Sequence, residues 1–141
     1  MTWMPKDCMI IGATTHIIRV VGMRELVKAC KALSDETRLR ILNLLLVREC
    51  CVCEVMQVLD ISQTRASRNL SILYEAGLLK LRKEGLWSLY SIDEDGMQEH
   101  FSALVEVARK GLQENDVVAR DRERLKKAER VGPGCVRQMR R

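Results

Sequence analysis

The sequence predicts a mainly helical domain with one small β-hairpin, an α+β arrangement, and three observations predict it. Apolar residues recur every three or four positions over most of residues 23–112, which is the period of an amphipathic helix. Two short strand-like runs flank a glycine at position 85. Hydrophobic residues make up 47% of the 141 residues and aromatic residues only 4%, which favours a leucine- and valine-rich helical core over a large β-sandwich.

Four helices are predicted before the hairpin, over residues 23–33, 37–47, 51–59 and 63–75. The second is apolar nearly all round, so we expect it at the centre of the core. Ser62 is a favourable N-cap for the fourth helix, and Gly77 is a favourable glycine for its C-terminal end. The order of helix, tight turn and helix with a polar outer face is that of a helix-turn-helix.

The second half of the chain predicts the hairpin and a last long helix. Residues 78–82 and 86–92 read as strands joined by a tip at residues 83–85. Asp93-Glu94-Asp95 is expected to open the last helix, because acidic residues suit a helix N-terminus. Beyond residue 114 we expect a solvated helical extension over residues 120–130. Three regions follow from these patterns: a flexible arm at 1–22 (with Met23 an alternative start), a domain at 23–114 and a charged extension at 115–141.

Net charge and cysteine content narrow the class of protein. The net charge is +5, but nine basic and four acidic residues lie in residues 115–141, and the remainder carries fifteen of each sign. Overall basicity is therefore weak evidence for nucleic acid binding, which has to rest on local pattern. No apolar run reaches the roughly 18–20 residues of a membrane span, and no secretory signal is evident, so we expect a cytoplasmic protein with no membrane partner. Six cysteines in a reducing compartment are then not a disulfide framework.

The polar face of the helix at 63–75 predicts contacts with double-stranded DNA. Its expected DNA-binding side chains are Gln63, Thr64, Arg65, Ser67, Arg68 and Asn69. Such groups pair with base edges and phosphates in the major groove. The hairpin adds Lys80, Arg82 and Lys83 as expected contacts to neighbouring phosphates. The alternative is an ordinary solvated helix face.

Two runs in the first two thirds of the chain have a distinctive pattern, Lys-Ala-Leu-Ser-Asp-Glu-Thr-Arg-Leu-Arg-Ile-Leu at 31–42 and Ser-Gln-Thr-Arg-Ala-Ser-Arg-Asn-Leu at 62–70. Together with the segments at 76–79 and 87–90, these runs resemble the ArsR/SmtB family of bacterial metal-responsive repressors. The resemblance implies a winged helix-turn-helix homodimer that binds operator DNA as a repressor, not an enzyme. It also implies that the first and last helices form the dimer interface, which here includes Leu26, Cys30, Phe101, Leu104, Val105 and Ala108. Taken without the resemblance, the apolar stripe of the first helix predicts that Cys30 is a small buried residue.

Three cysteines, Cys50, Cys51 and Cys53, lie within four residues at an expected exposed helix start. The segment resembles the family's arsenic-site box, in which Cys51 and Cys53 match the first two ligands. The third family position holds Met56, so Cys50 is the nearest substitute. Three thiolates suit a soft, three-coordinate ion such as As(III) or Sb(III), which we expect as inducer, with no organic cofactor. The helix N-terminus is expected to lower the thiol pKa.

Helical geometry suggests how an inducer acts. Positions 51 and 53 are about 200° apart on a regular helix, so binding is expected to unwind the first turn and shift the helix at 63–75. The alternatives are a redox-sensing thiol repressor and a sensor of Cd(II) or Pb(II). A Cys-x-x-Cys oxidoreductase would need a βαβ context, which is absent. Cys8 and Cys135 are candidate extra ligands in the two ends, whereas His16 and His100 are too few for a multi-histidine zinc site.

Overall fold

The computed structural model describes residues 22–131. Within them the chain forms six α-helices and one antiparallel hairpin. In chain order the elements are α1 (Met23–Leu33), α2 (Glu36–Val47), α3 (Val52–Leu59), α4 (Gln63–Glu75), β1 (Leu79–Glu84), β2 (Trp87–Ile92), α5 (Glu99–Gly111) and α6 (Asp116–Lys127). The predicted α+β class and the first four helices are confirmed. The arm assigned to residues 1–22 lies outside the described residues except for Gly22.

Local capping explains where the central helices begin. Asp35 precedes α2, and its side chain accepts a hydrogen bond from the backbone N–H of Arg38. Ser62 precedes α4 and accepts from the backbone N–H of Arg65 in the same way, as predicted. Each cap satisfies a backbone donor that the first turn of a helix leaves without a partner.

Helix α2 lies at the centre of the core, as its sequence predicts. Ile41, Leu42 and Leu44 are fully buried and pack with Leu70 and Leu73 of α4 in one apolar cluster. Helices α3 and α4 pack against each other and against α2, so the helix-turn-helix pair is supported by the core on its inner face. Asp60, between the pair, adopts a left-handed conformation (φ 53°) that closes the tight turn.

The hairpin forms a wing after α4. Its register runs from Leu79 opposite Ile92 to Glu84 opposite Trp87, so the tip consists of Gly85 and Leu86 instead of residues 83–85. Gly85 has a φ of +59°, a conformation that glycine adopts without steric cost. The strands are therefore offset by a residue or two from the predicted bounds.

Helix α5 begins six residues later than predicted. Asp93 does not open it. Instead the Asp93 carboxylate accepts a hydrogen bond from the backbone N–H of Gly96 at 3.1 Å, which stabilises a turn. The helix starts at Glu99 after the N-cap Gln98. Acidic side chains favour both a helix start and an Asx-type turn, and here Asp93 stabilises a turn that precedes the helix in the chain.

Helix α6 is not the solvated extension that the sequence predicts. Val118, Asp121 and Leu125 are buried, because the helix packs back onto α2 and α3. Arg40 of α2 makes a two-pronged ion pair with Asp121, at 2.7 and 2.8 Å. These contacts join α6 to the helices before residue 114. Within the described part of the chain, none of the helices has the length and apolar character that crossing a membrane requires.

Candidate nucleic-acid interface and thiol site

The outer face of α4 presents most of the predicted DNA-binding side chains. Thr64, Arg65 and Arg68 are exposed, and Gln63 and Ser67 are half-buried. The inner face of the helix is anchored by apolar residues in the core, as predicted. The Arg68 guanidinium and several shorter polar groups are left without a partner among residues 22–131, and the exposed Arg65 guanidinium donates to the Thr37 hydroxyl of α2 at 3.1 Å. A polar, basic face of this kind suits a helix that enters a DNA groove.

Asn69 is the exception on this helix. It is 9% exposed, and its side-chain oxygen accepts a hydrogen bond from Arg38 at 3.2 Å. Its amide nitrogen donates to the backbone carbonyl of Arg65 at 2.9 Å. The sequence places Asn69 on the outward face, but both of its polar atoms have partners inside the domain, and the hydrogen bond from Arg38 ties α4 to α2.

The wing carries its predicted basic residues on the surface, but two of them, Arg82 and Lys83, have partners within the protein. Arg82 binds Glu49 through two nitrogens and also contacts Glu84 at 2.9 Å. The hydrogen bond to Glu49 is the main cause that raises the pKa of the Arg82 guanidinium above its ordinary value. Lys80 is exposed, and Lys83 donates to the Ser88 hydroxyl at 2.6 Å. Glu49 directly precedes the cysteine cluster, so this ion pair connects the cluster to the wing.

Cys51 and Cys53 form a close thiol pair at the start of α3. Cys51 is the N-cap with an extended backbone (φ −87°, ψ 170°), and Cys53 lies in the first turn. Their Sγ atoms are 2.9 Å apart. The expectation that these sulfurs diverge by about 200° is wrong, because that angle applies only when both residues are helical. No unwinding is needed to bring the two sulfurs together.

Cys50 is held apart from this pair. Its backbone N–H and carbonyl both bond to Tyr90 of β2, at 3.0 and 2.9 Å, in an isolated bridge. The side chain is fully buried in the main core, whereas Cys51 and Cys53 pack in a second cluster with Leu89, Trp87 and Val131. Among residues 22–131, no group of three or more His, Cys, Asp or Glu side chains is placed to hold a metal ion.

Burial changes the acid–base properties of these thiols. All three cysteines are buried, not exposed as the sequence suggests. Burial raises the pKa of Cys50 to about 12. Burial, together with the hydrogen bond to Cys53, raises the pKa of Cys51 to about 12. The expected lowering by the helix N-terminus is therefore outweighed by the loss of water around the sulfur.

Glu54 organises the start of α3, and sequence reasoning missed it. The carboxylate is 1% exposed, accepts a hydrogen bond from the backbone N–H of Cys51 at 3.0 Å, and forms ion pairs with Arg48 and Arg130. Burial alone would raise its pKa, but the hydrogen bonds from these three donors hold that pKa below its usual value. The signal was present in the sequence, since Cys51-x-x-Glu54 has the spacing of a capping box.

Helix α1 leaves an apolar face on the surface. Ala29 and Ala32 pack into the core, while Met23, Leu26 and Val27 are 83%, 41% and 45% exposed. Cys30 is also exposed in the single chain, so the expectation that it is buried is wrong there. On α5, Phe101 and Val105 are buried in the chain's own core, and Leu104 and Ala108 are half-buried beside it. The face offered by α1 is therefore more open than that of α5.

The fold is that of a winged helix-turn-helix domain. The solution structure of the homodimeric winged helix-turn-helix DNA-binding domain of a possible ArsR-family transcriptional regulator from Mycobacterium bovis superposes with a TM-score of 0.55. It covers 82% of this chain and 94% of that chain at 24% sequence identity, a level that supports the fold alone.

Sequence comparison identifies the family. The family model described as bacterial regulatory protein, arsR family, matches residues 35–81. The chain is 42% identical over 85 residues to a cadmium resistance transcriptional regulatory protein CadC homolog of Staphylococcus aureus, covering 60% of this chain and 67% of that protein. It is 49% identical over 63 residues to an arsenical resistance operon repressor of Escherichia coli K12, covering 44% of this chain and 54% of that protein. This chain belongs to the ArsR family of DNA-binding transcriptional regulators.

Proposed function

We propose that this protein is a metalloid-responsive repressor that binds operator DNA as a homodimer and releases it when trivalent arsenic or antimony binds Cys51 and Cys53. The observation that carries the proposal is the 2.9 Å separation of the two Sγ atoms at the N-cap of α3, the first helix of the helix-turn-helix. A ligand that joins these sulfurs acts directly on the support of the recognition helix α4.

The chemistry of the pair suits a neutral trivalent hydroxide. Arsenite at neutral pH is As(OH)₃, and its reaction with two thiols forms two As–S bonds and releases two hydroxides as water, each with one thiol proton. The reaction therefore needs no prior ionisation of the buried Cys51, whose pKa is raised. Soft sulfur donors also select such thiophilic species over hard cations.

Cys51 and Cys53 supply two sulfur ligands to arsenic, and a third sulfur ligand would have to come from another residue. The sequence makes Cys50 the nearest substitute for the missing third cysteine. Its Sγ would first have to leave the main core and give up its contact with the Arg48 carbonyl at 3.5 Å. We therefore take Cys51 and Cys53 as the primary ligands, and Cys50 as a predicted third ligand that requires rearrangement.

Two connections lead from the thiol pair to the DNA-binding elements. The backbone of Cys50 is bonded to Tyr90 of the wing, and the neighbouring Glu49 holds Arg82 at the wing surface. On the other side, α3 packs along α4. A ligand that changes the geometry of Cys51 and Cys53 thus favours a different position of both elements. It lowers DNA affinity only to the extent that it binds the two states differently.

Homodimerisation is supported by the exposed apolar face of α1. Met23, Leu26 and Val27 form a continuous surface for a second copy, with Cys30 one turn further. Two recognition helices related by a two-fold axis would read two half-sites of a palindromic operator. We propose Thr64, Arg65 and Arg68, with Gln63 and Ser67, as the base and phosphate contacts of each half-site.

A divalent soft metal is the second candidate inducer, because one of the relatives is a cadmium resistance regulator. The test is fluorescence anisotropy of a labelled duplex selected by this protein from random DNA. Arsenite and antimonite should release the duplex from reduced protein at stoichiometric concentrations, and cadmium should need a large excess. Release by cadmium alone would assign the second inducer. Release by peroxide that dithiothreitol reverses would assign a redox sensor, and no release by any of them would refute the proposal.

A further inference from the structure

The chain that follows α6 lies over the thiol pair. The Cys53 thiol donates a hydrogen bond to the backbone carbonyl oxygen of Val131, with 3.8 Å between the sulfur and the oxygen. Val131 also packs against the apolar cluster that contains Cys51, Cys53 and Leu89. We call residues 128–131, from the C-cap of α6 onward, the C-terminal strap. The strap supplies one wall of the site that the proposed function assigns to the inducer.

Side-chain hydrogen bonds hold the strap on α3. Gln57 of α3 donates to the backbone carbonyl of Glu129 at 2.8 Å and accepts from the backbone N–H of the same residue at 3.1 Å. Arg130 donates to the buried carboxylate of Glu54 at 3.0 Å and to the backbone carbonyl of Glu49 at 3.4 Å. Because residues 128–131 belong to no helix or strand, the position of the strap depends mainly on these two side chains.

The thiol pair has almost no contact with solvent while the strap is in this position. Cys51 is 3% exposed and Cys53 is 7% exposed. An arsenical that forms bonds to both sulfurs has to reach the two Sγ atoms directly, and with its hydroxides it is larger than a water molecule. At least one wall of the site must therefore move before the inducer binds.

The other walls are held more firmly than the strap. Leu89 and Trp87 belong to β2, which pairs with β1 along its whole length. The isolated bridge between Cys50 and Tyr90 adds two backbone hydrogen bonds, and α3 packs against α2 and α4. On the strap, by contrast, Glu129 is exposed and no residue is fully buried. Local opening favours segments with few buried contacts and few backbone hydrogen bonds, so the strap is the wall that moves at the lowest free-energy cost.

We propose that the C-terminal strap is the movable wall of the inducer site, and that its displacement opens the path by which an arsenical reaches Cys51 and Cys53. The inference rests on the proposed function for the identity of the inducer, whereas the accessibility of the two thiols is independent of it. Opening breaks the hydrogen bonds of Gln57 and Arg130 to the strap and no covalent bond. The strap therefore controls the rate at which the pair meets any thiol-reactive ligand.

The experiment measures how fast N-ethylmaleimide modifies individual cysteines of the full, native chain. Trypsin releases residues 49–65 as one peptide that contains Cys50, Cys51 and Cys53, and fragmentation in the mass spectrometer assigns the label to each position. In the parent, Cys53 should be modified faster than Cys50. The reason is that displacement of the strap costs less than opening the main core in which Cys50 is buried.

Two variants loosen the strap and leave the thiols in place. Gln57→Ala removes both hydrogen bonds to Glu129, so it should raise the labelling rate of Cys53 on the order of tenfold. Alanine is a strong helix former, so this substitution is expected to preserve α3. The double variant Gln57→Ala/Arg130→Ala should raise the rate further. Labelling of Cys50 should stay at its parental rate in both variants, which verifies that the domain itself remains folded.

Lys126→Ala is the matched control, because it removes only an exposed ion pair with Glu123, at 2.7 Å, just before the strap. It should leave the labelling rate of Cys53 unchanged. Arsenite association is followed in the same proteins by stopped-flow absorption of the arsenic–thiolate bonds. In each strap variant it should accelerate by the same factor as the labelling of Cys53, and in Lys126→Ala it should keep the parental rate.

Each result separates this inference from the proposed function. Parental labelling of Cys53 in both strap variants, or equal acceleration at Cys50, would overturn the assignment of the strap as the movable wall. Faster labelling with unchanged arsenite association would overturn it as the path of the inducer. A parent that binds no arsenite, or binds it as well as the Cys51→Ser/Cys53→Ser double variant does, would instead refute the proposed function. The labelling rates would even then decide whether the strap controls access to the pair.

Discussion

Glu54→Gln removes one negative charge from the centre of the network that holds the thiol site. The Glu54 carboxylate is 1% exposed and receives hydrogen bonds from Cys51, Arg48 and Arg130. Glutamine has nearly the same shape and keeps a carbonyl oxygen for the Cys51 N–H, but it cannot neutralise either arginine. The substitution therefore tests the charge and leaves the helix cap largely intact.

The magnitude follows from the exposure of the partners. Removing one member of a fully buried ion pair costs about 3–5 kcal/mol. Here the side chains of Arg48 and Arg130 remain 36% and 28% exposed, so water can solvate part of the charge left behind. We expect Glu54→Gln to lower the free energy of unfolding by about 2–3 kcal/mol. Glu54→Ala also removes the cap, which adds about 0.5–2 kcal/mol.

The assay is urea unfolding followed by circular dichroism at one fixed protein concentration, because a dimer gains apparent stability with concentration. Glu106→Gln is the matched control, since Glu106 also contacts two basic residues, Arg109 at 3.4 Å and Lys110 at 3.9 Å, but is 43% exposed. It should change the free energy of unfolding by no more than about 0.5 kcal/mol. Equal effects of Glu54→Gln and Glu106→Gln would refute the reasoning.

Three further predictions address DNA binding and the thiols. Arg68→Ala should weaken binding to the selected duplex by about 1–3 kcal/mol in an anisotropy titration, and unchanged affinity would remove Arg68 from the interface. The double variant Glu49→Gln/Glu84→Gln should release Arg82 from both of its carboxylate partners for phosphate contact, so the slope of log affinity against log salt should become steeper by about one, and an identical slope would contradict this. Because the Cys51 thiol stays protonated at neutral pH, cadmium binding should tighten by about tenfold per pH unit for each proton released, while arsenite binding stays level. Competition titrations at pH 6, 7 and 8 measure both profiles, and a flat cadmium profile would count against the raised pKa.

The parts of the fold that the sequence predicts are those with local causes. Apolar periodicity locates α1 to α4, and the hydroxyl of Ser62 marks the start of α4, because both signals arise within a few residues of each other. The position of α6 depends instead on partners far away in the sequence. Arg40 and Asp121 are 81 residues apart, and a charge at either position alone indicates a solvated helix.

The candidate site shows the same division. The spacing of Cys51 and Cys53 suggests that both thiols belong to one site. Their arrangement, however, depends on Cys51 being the N-cap of α3 and not a helical residue. The burial that raises the pKa of the Cys51 thiol comes from Leu89 and Trp87 on the wing and from Val131, four residues after the end of α6. Asn69 faces inward because Arg38 offers it a partner from α2. These contacts have no periodicity that a single sequence can reveal.

The most direct measurement compares the parent with the Cys51→Ser/Cys53→Ser double variant on the same selected duplex, by anisotropy under reducing conditions. Both proteins should bind the duplex with similar affinity before arsenite is added, because serine occupies nearly the same space as cysteine. Arsenite should then release the parent and leave the double variant bound. Equal release of both proteins would contradict the claim that a ligand joining these two sulfurs controls DNA binding.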